Sequence, residues 1–365
     1  MVTQYNRDVS DLLTLQGEIA QQIANEILLI LGDHHKILNA ARERLLSPNE
    51  YEAYDLYLKG RYFWNKRTPE GFDRAVECFE RAIEKDPSYA PAYTGLADSY
   101  ALMSSYGVVS PKEVMPKARA AAQKAIALDD KLAEAHASLA VIAQNYDWDW
   151  ATAEKEYRRA IELDPNYATA HHWYAEFLAL MGRFDQAFAE IQRARQLDPM
   201  SLIMATDNGA IFYFSRQYDR AIEQFRSVLE MESDFPRAHM VVYAYVEKGM
   251  YADALADIEK WQHVQDSPWI LASRTYVYGR SGQQAQARGM LGKLEQLQRR
   301  QPFDPLTVAV ASIGVSDKEQ AFAWLQKAYL EHSSSMDALK VDPIYDPLRS
   351  DARFQELLRR MGLPQ

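Results

Sequence analysis

Two adjacent histidine pairs, His34 with His35 and His171 with His172, are the first side chains in this 365-residue sequence to invite chemistry. Imidazole is the commonest protein metal ligand, but a site needs ligands that converge. Adjacent helix residues do not face one another, and neither an HExxH motif nor a cysteine cluster accompanies either pair, so no metal and no cofactor is expected. His136, His171 and His239 instead fall at equivalent places in a repeating pattern, which suits structural histidines with satisfied hydrogen bonds. The single cysteine, Cys78, sits among apolar helix residues in AVECFERAI and reads as a buried, inert thiol. GRSGQQAQARG has the glycines of a phosphate loop, but Gly282 falls where one helix turns into the next. The acids are plentiful, yet most can be assigned to helix caps and solvated faces, and no pair stands out as a general acid and base. No catalytic residue is assigned, and the chain is expected not to be an enzyme. An all-helical enzyme with paired carboxylates stays open as the less favoured alternative.

What must position any functional side chain is a repeated helix pair. From Ala168 to Pro199 two helical patterns stand back to back, joined at Gly182, with Ala170, Ala175, Ala187 and Ala194 where a longer side chain would hold the helices apart. One such pair exposes apolar faces it cannot bury alone. The spacing returns about every 34 residues, the period of a tetratricopeptide array. The predicted fold is all-α, a solenoid of seven or eight helix pairs.

Before the array, residues 10 to 31 carry an aliphatic stripe from Leu12 to Leu31, roughly 31 Å of amphipathic helix that must pack on something. The organisation expected is an amino-terminal helical segment over residues 1–48, the array over 49–332 and a carboxy-terminal cap over 333–365. The register of the first repeat stays open because about three extra residues separate its helices. In the third repeat Asp149 is placed to cap a helix, and Trp148 and Trp150 to fill the space between neighbouring turns. In the last segment two Asp-Pro pairs call for extended turns and Asp351 for a helix cap, giving a lid for the final apolar face.

The alanine and proline spacing resembles the tetratricopeptide family over most of the chain. YNRDVSDLLTLQGEIAQQIANEILLIL further resembles the closing helix of a TolB-like domain. LKGRYFWNKRTPEG, NYDWDW, NYATAHHWYAEFLALMGRFDQA and VDPIYDPLRSDARFQELLRRMGL resemble repeat regions of modular bacterial regulators. In those proteins the preceding module is a winged-helix DNA-binding domain, a Ser/Thr kinase or an adenylyl cyclase, so the chain is expected to be the carboxy-terminal part of a longer protein. The resemblance implies a right-handed superhelix whose first helices line a concave groove for a partner segment.

Projected onto this sequence, the groove-facing positions are Asp98, Gln144, Asn145, His172, Trp173, Glu176, Asp207, Tyr213 and Phe214, with Thr94 and Thr206 beside them. Some domains of this family grip a carboxylate with Lys and Asn there; here acids, amides and aromatics are offered instead, which suits a basic and apolar protein or peptide. The formal net charge of -10 argues against a phosphate-coating surface and hence against direct nucleic-acid binding. The longest aliphatic run, Ile27 to Leu31, is too short to span a bilayer, and the start lacks a signal-peptide pattern, so no membrane contact and a cytoplasmic location are expected. The functional expectation is an interaction or sensory module of a bacterial regulator, with homodimer formation through the amino-terminal helix as the alternative.

Overall fold

The computed structural model describes residues 47–260, 267–301 and 303–363; the amino-terminal stripe and His34 with His35 lie outside them. Helix ends are written in short-range chemistry. Asp86, Asp129 and Asp164 each stop a helix, and each Oδ1 accepts the N–H two residues on, from Ser88 at 2.9 Å, Lys131 at 3.0 Å and Asn166 at 2.9 Å. That local bond gives the backbone an alternative to another helical turn. Within pairs, Gly182, Gly249 and Gly282 take left-handed backbone at the turn, which glycine adopts at little steric cost. Starts are capped in turn: Ser47 closes a reciprocal capping box with Glu50, and the Asp149 carboxylate accepts the Thr152 N–H, the cap expected from the sequence.

Eight helix pairs result among the described residues. They are α1 (Pro48–Trp64) with α2 (Pro69–Lys85), α3 (Ala90–Ser105) with α4 (Pro111–Leu128), α5 (Ala133–Ile142) with α6 (Trp150–Leu163), and α7 (Ala168–Leu180) with α8 (Phe184–Leu197). After them come α9 (Leu202–Phe214) with α10 (Tyr218–Met231), α11 (Val241–Glu247) with α12 (Tyr251–Glu259), α13 (Pro268–Arg280) with α14 (Gln284–Arg300), and α15 (Pro305–Gly314) with α16 (Lys318–Glu331). A 3-10 turn, Pro236–Met240, leads into α11, and a π turn, Ala143–Asp147, extends α5. The first repeat therefore has its register: Gly60 of α1 and Gly95 of α3 both face the Phe79 ring, where an added Cβ would come within 2.4 Å and 2.5 Å of it. One phenylalanine thus wedges between two successive first helices because both lack a side chain. The alanines read from the 34-residue spacing are the contact points, with Ala170, Ala175, Ala187 and Ala194 all fully buried.

The carboxy-terminal segment departs from the expected lid. After α16 the chain makes two 3-10 turns, Ser334–Lys340 and Pro343–Leu348, before the short α17 (Ala352–Arg360). Asp351 caps α17 as expected, and Phe354, Leu357, Leu358 and Met361 are buried. The turns before it do not lie over the last repeat alone; they run back along the inner helices of the earlier ones. Ser334 meets Ser104 of α3 at 2.9 Å, and Lys340 Nζ donates to the Met181 carbonyl at the end of α7 at 3.1 Å. The tryptophans of the third repeat take part in this closure as well as in packing within the array, where Trp150 lies against the core of the third and fourth repeats. Trp148 stacks on Tyr329 and His332 at 5.1 Å and 4.8 Å, and Trp150 Nε1 donates to the Met361 carbonyl at 2.8 Å.

Candidate functional site

The inner helices α3, α5, α7 and α9 carry an unusual number of buried polar groups, among them Thr94, Asp98, Ser138, Gln144, His172, Thr206 and Asp207. A helix whose inner face met water would not need to satisfy them internally; here each acid has a built partner. Asp98 accepts from Arg61 Nη1 of α1 at 2.9 Å and from Ser138 Oγ at 2.5 Å. Burial still holds its carboxyl above the usual range, against the opposing pull of Arg61. Thr94 and Thr206 spend their hydroxyls on carbonyls of their own helices, Pro91 and Leu202.

The centre of the concave face is a four-residue charge cluster. His172 Nε2 lies 2.7 Å from Asp207 Oδ2, Arg237 Nε donates to Asp207 Oδ1, and Arg237 Nη2 donates to Glu176 Oε1 at 2.6 Å. His172, Glu176 and Asp207 come close enough to ligate one cation, and Arg237 is the cation that two of them hold. Burial opposes ionisation of Asp207, but Arg237 and His172 outweigh it and keep that carboxyl below its ordinary value. Burial and the Asp207 charge push Glu176 the other way, upward. His136, His171 and His239 are structural as expected: their Nδ1 atoms meet Glu156, Glu190 and Asp257 at 2.6, 2.5 and 2.7 Å, one acid on the second helix of each pair.

Between these helices and the returning segment lies a cavity of ≈ 320 Å³. The family profile for the tetratricopeptide repeat matches residues 148–203, the third repeat's turn through the start of the fifth. The matched stretch is a tetratricopeptide repeat, and the helix pairs have the fold of a tetratricopeptide array. Among curated relatives, the transcriptional regulator HilA of Salmonella typhimurium is 22% identical over 240 residues, 66% of this chain and 38% of HilA. The chain thus spans well under half the length of that relative. Among solved structures, yeast Tom70 superposes with a TM-score of 0.50 at 17% identity over 84% of this chain and 67% of Tom70. The human IFIT1 dimer with m7Gppp-AAAA gives 0.50 at 18% identity over 80% of this chain and 67% of IFIT1. Those two likenesses speak for the fold.

Within the tetratricopeptide array, Gln144, Asn145, His172, Trp173, Glu176, Asp207 and Phe214 line the cavity, whereas Asp98 and Tyr213 do not. Tyr213 is fully buried and its hydroxyl donates to Asp342 of the returning segment at 3.1 Å. Gln144 Nε2 donates to Asp337 of the same segment at 3.0 Å, and its Oε1 accepts the Tyr157 hydroxyl. Arg216 clamps the segment from α9's end, donating to the Val341 carbonyl and to Asp346, both at 2.8 Å. The expectation of an open groove is therefore corrected in part: Gln144 and Tyr213 are taken up by the chain's own residues 333–348, which also wall the cavity that the others line. Sequence reasoning missed Arg61, Arg67, Arg237 and Asp337. The first two lie in the repeat whose register was open, Arg237 sits in the 3-10 turn, and Asp337 belongs to a segment read as a lid. The fold supports an interaction scaffold, and no described helix is long and apolar enough to cross a membrane.

Proposed function

We propose that the chain is a non-enzymatic interaction or sensory module of a bacterial regulator, whose concave face takes a short extended partner segment in place of residues 333–348. The observation that carries this reading is the segment itself: an irregular stretch held by the inner helices through Gln144, Tyr213, Arg216 and the Met181 carbonyl, in the manner of a bound peptide. Its buried apolar side chains, Met336, Leu339, Ile344, Tyr345 and Leu348, alternate with Asp337, Asp342 and Asp346. Because Asp98 is paired with Arg61 and Asp207 with His172 and Arg237 inside the array, two of the three projected acids offer no free charge for a basic partner, and an apolar segment with spaced acids is the better template. The likeness to HilA supports placing such a module in a regulator. The test uses the full chain with Leu339→Glu and Tyr345→Ala, which should release the segment, and a labelled peptide of residues 331–350. Anisotropy should report saturable binding to this variant and none to the parent. Absence of binding by a variant with unchanged helical circular dichroism would refute the reading.

Homotypic assembly is the second reading, and one feature favours it. Tyr51, Leu58 and Tyr62 share a face of α1 and are 61%, 47% and 61% exposed, an uncovered apolar strip on the first helix. Replacing all three by Ser should turn a dimer into a monomer in light scattering if this face joins two chains. A parent that is already monomeric would remove that reading.

A further inference from the structure

The charges in and beside the cavity are unequally paired. Arg61 is answered by Asp98 at 2.9 Å, so that pair is balanced. Arg237 is shared by two carboxylates, Asp207 and Glu176, and His172 lies 2.7 Å from Asp207 but 3.8 Å from Glu176, so Glu176 is the less fully paired of the two. Arg67 is 8% exposed, lines the cavity, and lies 3.7 Å above the Trp64 ring, but its guanidinium makes no hydrogen bond and no ion pair among the described residues. A buried cation with no counterion is costly, since its lost hydration is not returned by a partner. Its backbone also sits at φ 54, a left-handed conformation that is uncommon for a side chain of this size. Asn145 adds a third unmet demand, because its Oδ1 is buried with no donor while its Nδ2 is spent on Ser105.

Arg67 and Glu176 are near enough to act on each other through space, yet no ion pair joins them. The same cavity offers the apolar walls of Trp173, Phe214 and Trp269. We infer that this cavity binds a small zwitterion, an amino acid with an apolar side chain, whose carboxylate pairs with Arg67 and whose ammonium is received by Glu176 and Asn145 Oδ1. A neutral apolar molecule would leave all three polar demands unmet, and a simple anion would answer only the first. The guanidinium fork suits a carboxylate bidentately, and its stacking on Trp64 holds its plane in place. The inference rests on the cavity and not on displacement of residues 333–348, so it stands or falls separately from the peptide-binding reading.

The experiment is calorimetry on the full chain with L-leucine and L-phenylalanine, their amides, which lack the carboxylate, and their deaminated acids, which lack the ammonium. At least one of the two amino acids should bind saturably with a one-to-one stoichiometry. Its amide and its deaminated acid should each bind about ten-fold more weakly or worse, the scale of losing one charge-assisted hydrogen bond. Arg67→Met should abolish binding while leaving the unliganded protein at least as resistant to heat as the parent, because a lone buried cation has been removed. Arg67→Lys, which keeps the charge and loses the fork, should bind measurably but more weakly. Failure of both amino acids to bind at up to about 10 mM would overturn the inference. So would equal binding of an amide, or unchanged binding by a folded Arg67→Met.

Discussion

Asp337→Asn should change how stability depends on pH without breaking the contact that Asp337 makes. Burial pushes the Asp337 carboxyl from 3.8 up to about 7, and Glu176 pushes the same way, while the Gln144 hydrogen bond and Arg237 oppose them. The folded chain therefore keeps a proton that the unfolded chain has already lost. Its contribution is complete below the unfolded value of 3.8 and is lost as pH rises through about 7. Three units at 1.36 kcal/mol each make that loss on the order of 4 kcal/mol, an upper bound if the segment shifts or admits water. Asparagine cannot ionise, and its Oδ1 can still accept from Gln144 Nε2. The variant should match the parent near pH 4 and exceed it by a few kcal/mol near pH 8. Urea unfolding across that range, with the slope on denaturant checked for constancy, gives the parent-minus-variant difference. That difference isolates Asp337 from Asp342, whose carboxyl burial lifts to about 6 and which titrates in both proteins. Parallel pH curves for the two proteins, or a variant less stable near pH 8, would show that Asp337 is not held protonated against the groove.

Other expectations test the packing and the charge cluster. Gly279→Ala should destabilise by about 1 to 3 kcal/mol or more in urea, since its Cβ would fall 2.0 Å from the Gly314 carbonyl oxygen, where only backbone can yield. Gly289→Ala, with nothing within 4 Å, should instead stabilise α14 by about 0.5 to 1 kcal/mol, so two identical substitutions should move the midpoint in opposite directions. Ala187→Leu and Ala194→Leu, both fully buried, should each cost roughly 1 to 3 kcal/mol, and melting like the parent would contradict the close helix contact. Arg237→Met leaves the buried Asp207 and the half-buried Glu176 without their shared cation and should cost at most about 3 to 5 kcal/mol at neutral pH, with part of that recovered as acid protonates them; a pH-independent loss would point to packing instead.

The repeat was legible because its rule is local. Ala187 and Ala194 recur at fixed spacing, Asp86, Asp129 and Asp164 stop helices through a bond two residues away, and Asp149 and Asp351 cap the helices that follow them. The concave face was legible only in part. Gln144, His172 and Asp207 were correctly placed on inner helices, but periodicity says nothing about what lies opposite, and the cover comes from residues almost two hundred positions away. One clue was present in the composition of those helices. Ser99, Thr206, Ser273 and Ser312 are fully buried hydroxyls on inner helices, more polarity than a solvent-facing groove needs to hide. Arg67 and Arg237 gave no such signal, because an arginine beside a turn usually belongs to the surface.

The returning segment also sets an order of events during synthesis. Gln144 and Asp337 are separated by 193 residues, so at about 5 to 20 residues per second the inner surface of the first repeats exists for roughly 10 to 40 seconds before the stretch that covers it has been made. Throughout that interval the nascent chain presents Trp173, Phe214 and the carboxamide of Gln144 to whatever is in the cell. On the proposed reading, a partner engaged then meets an open cradle, whereas one arriving later must compete with a tethered occupant at high effective concentration. For this chain, when a partner is encountered can matter as much as how much of it is present.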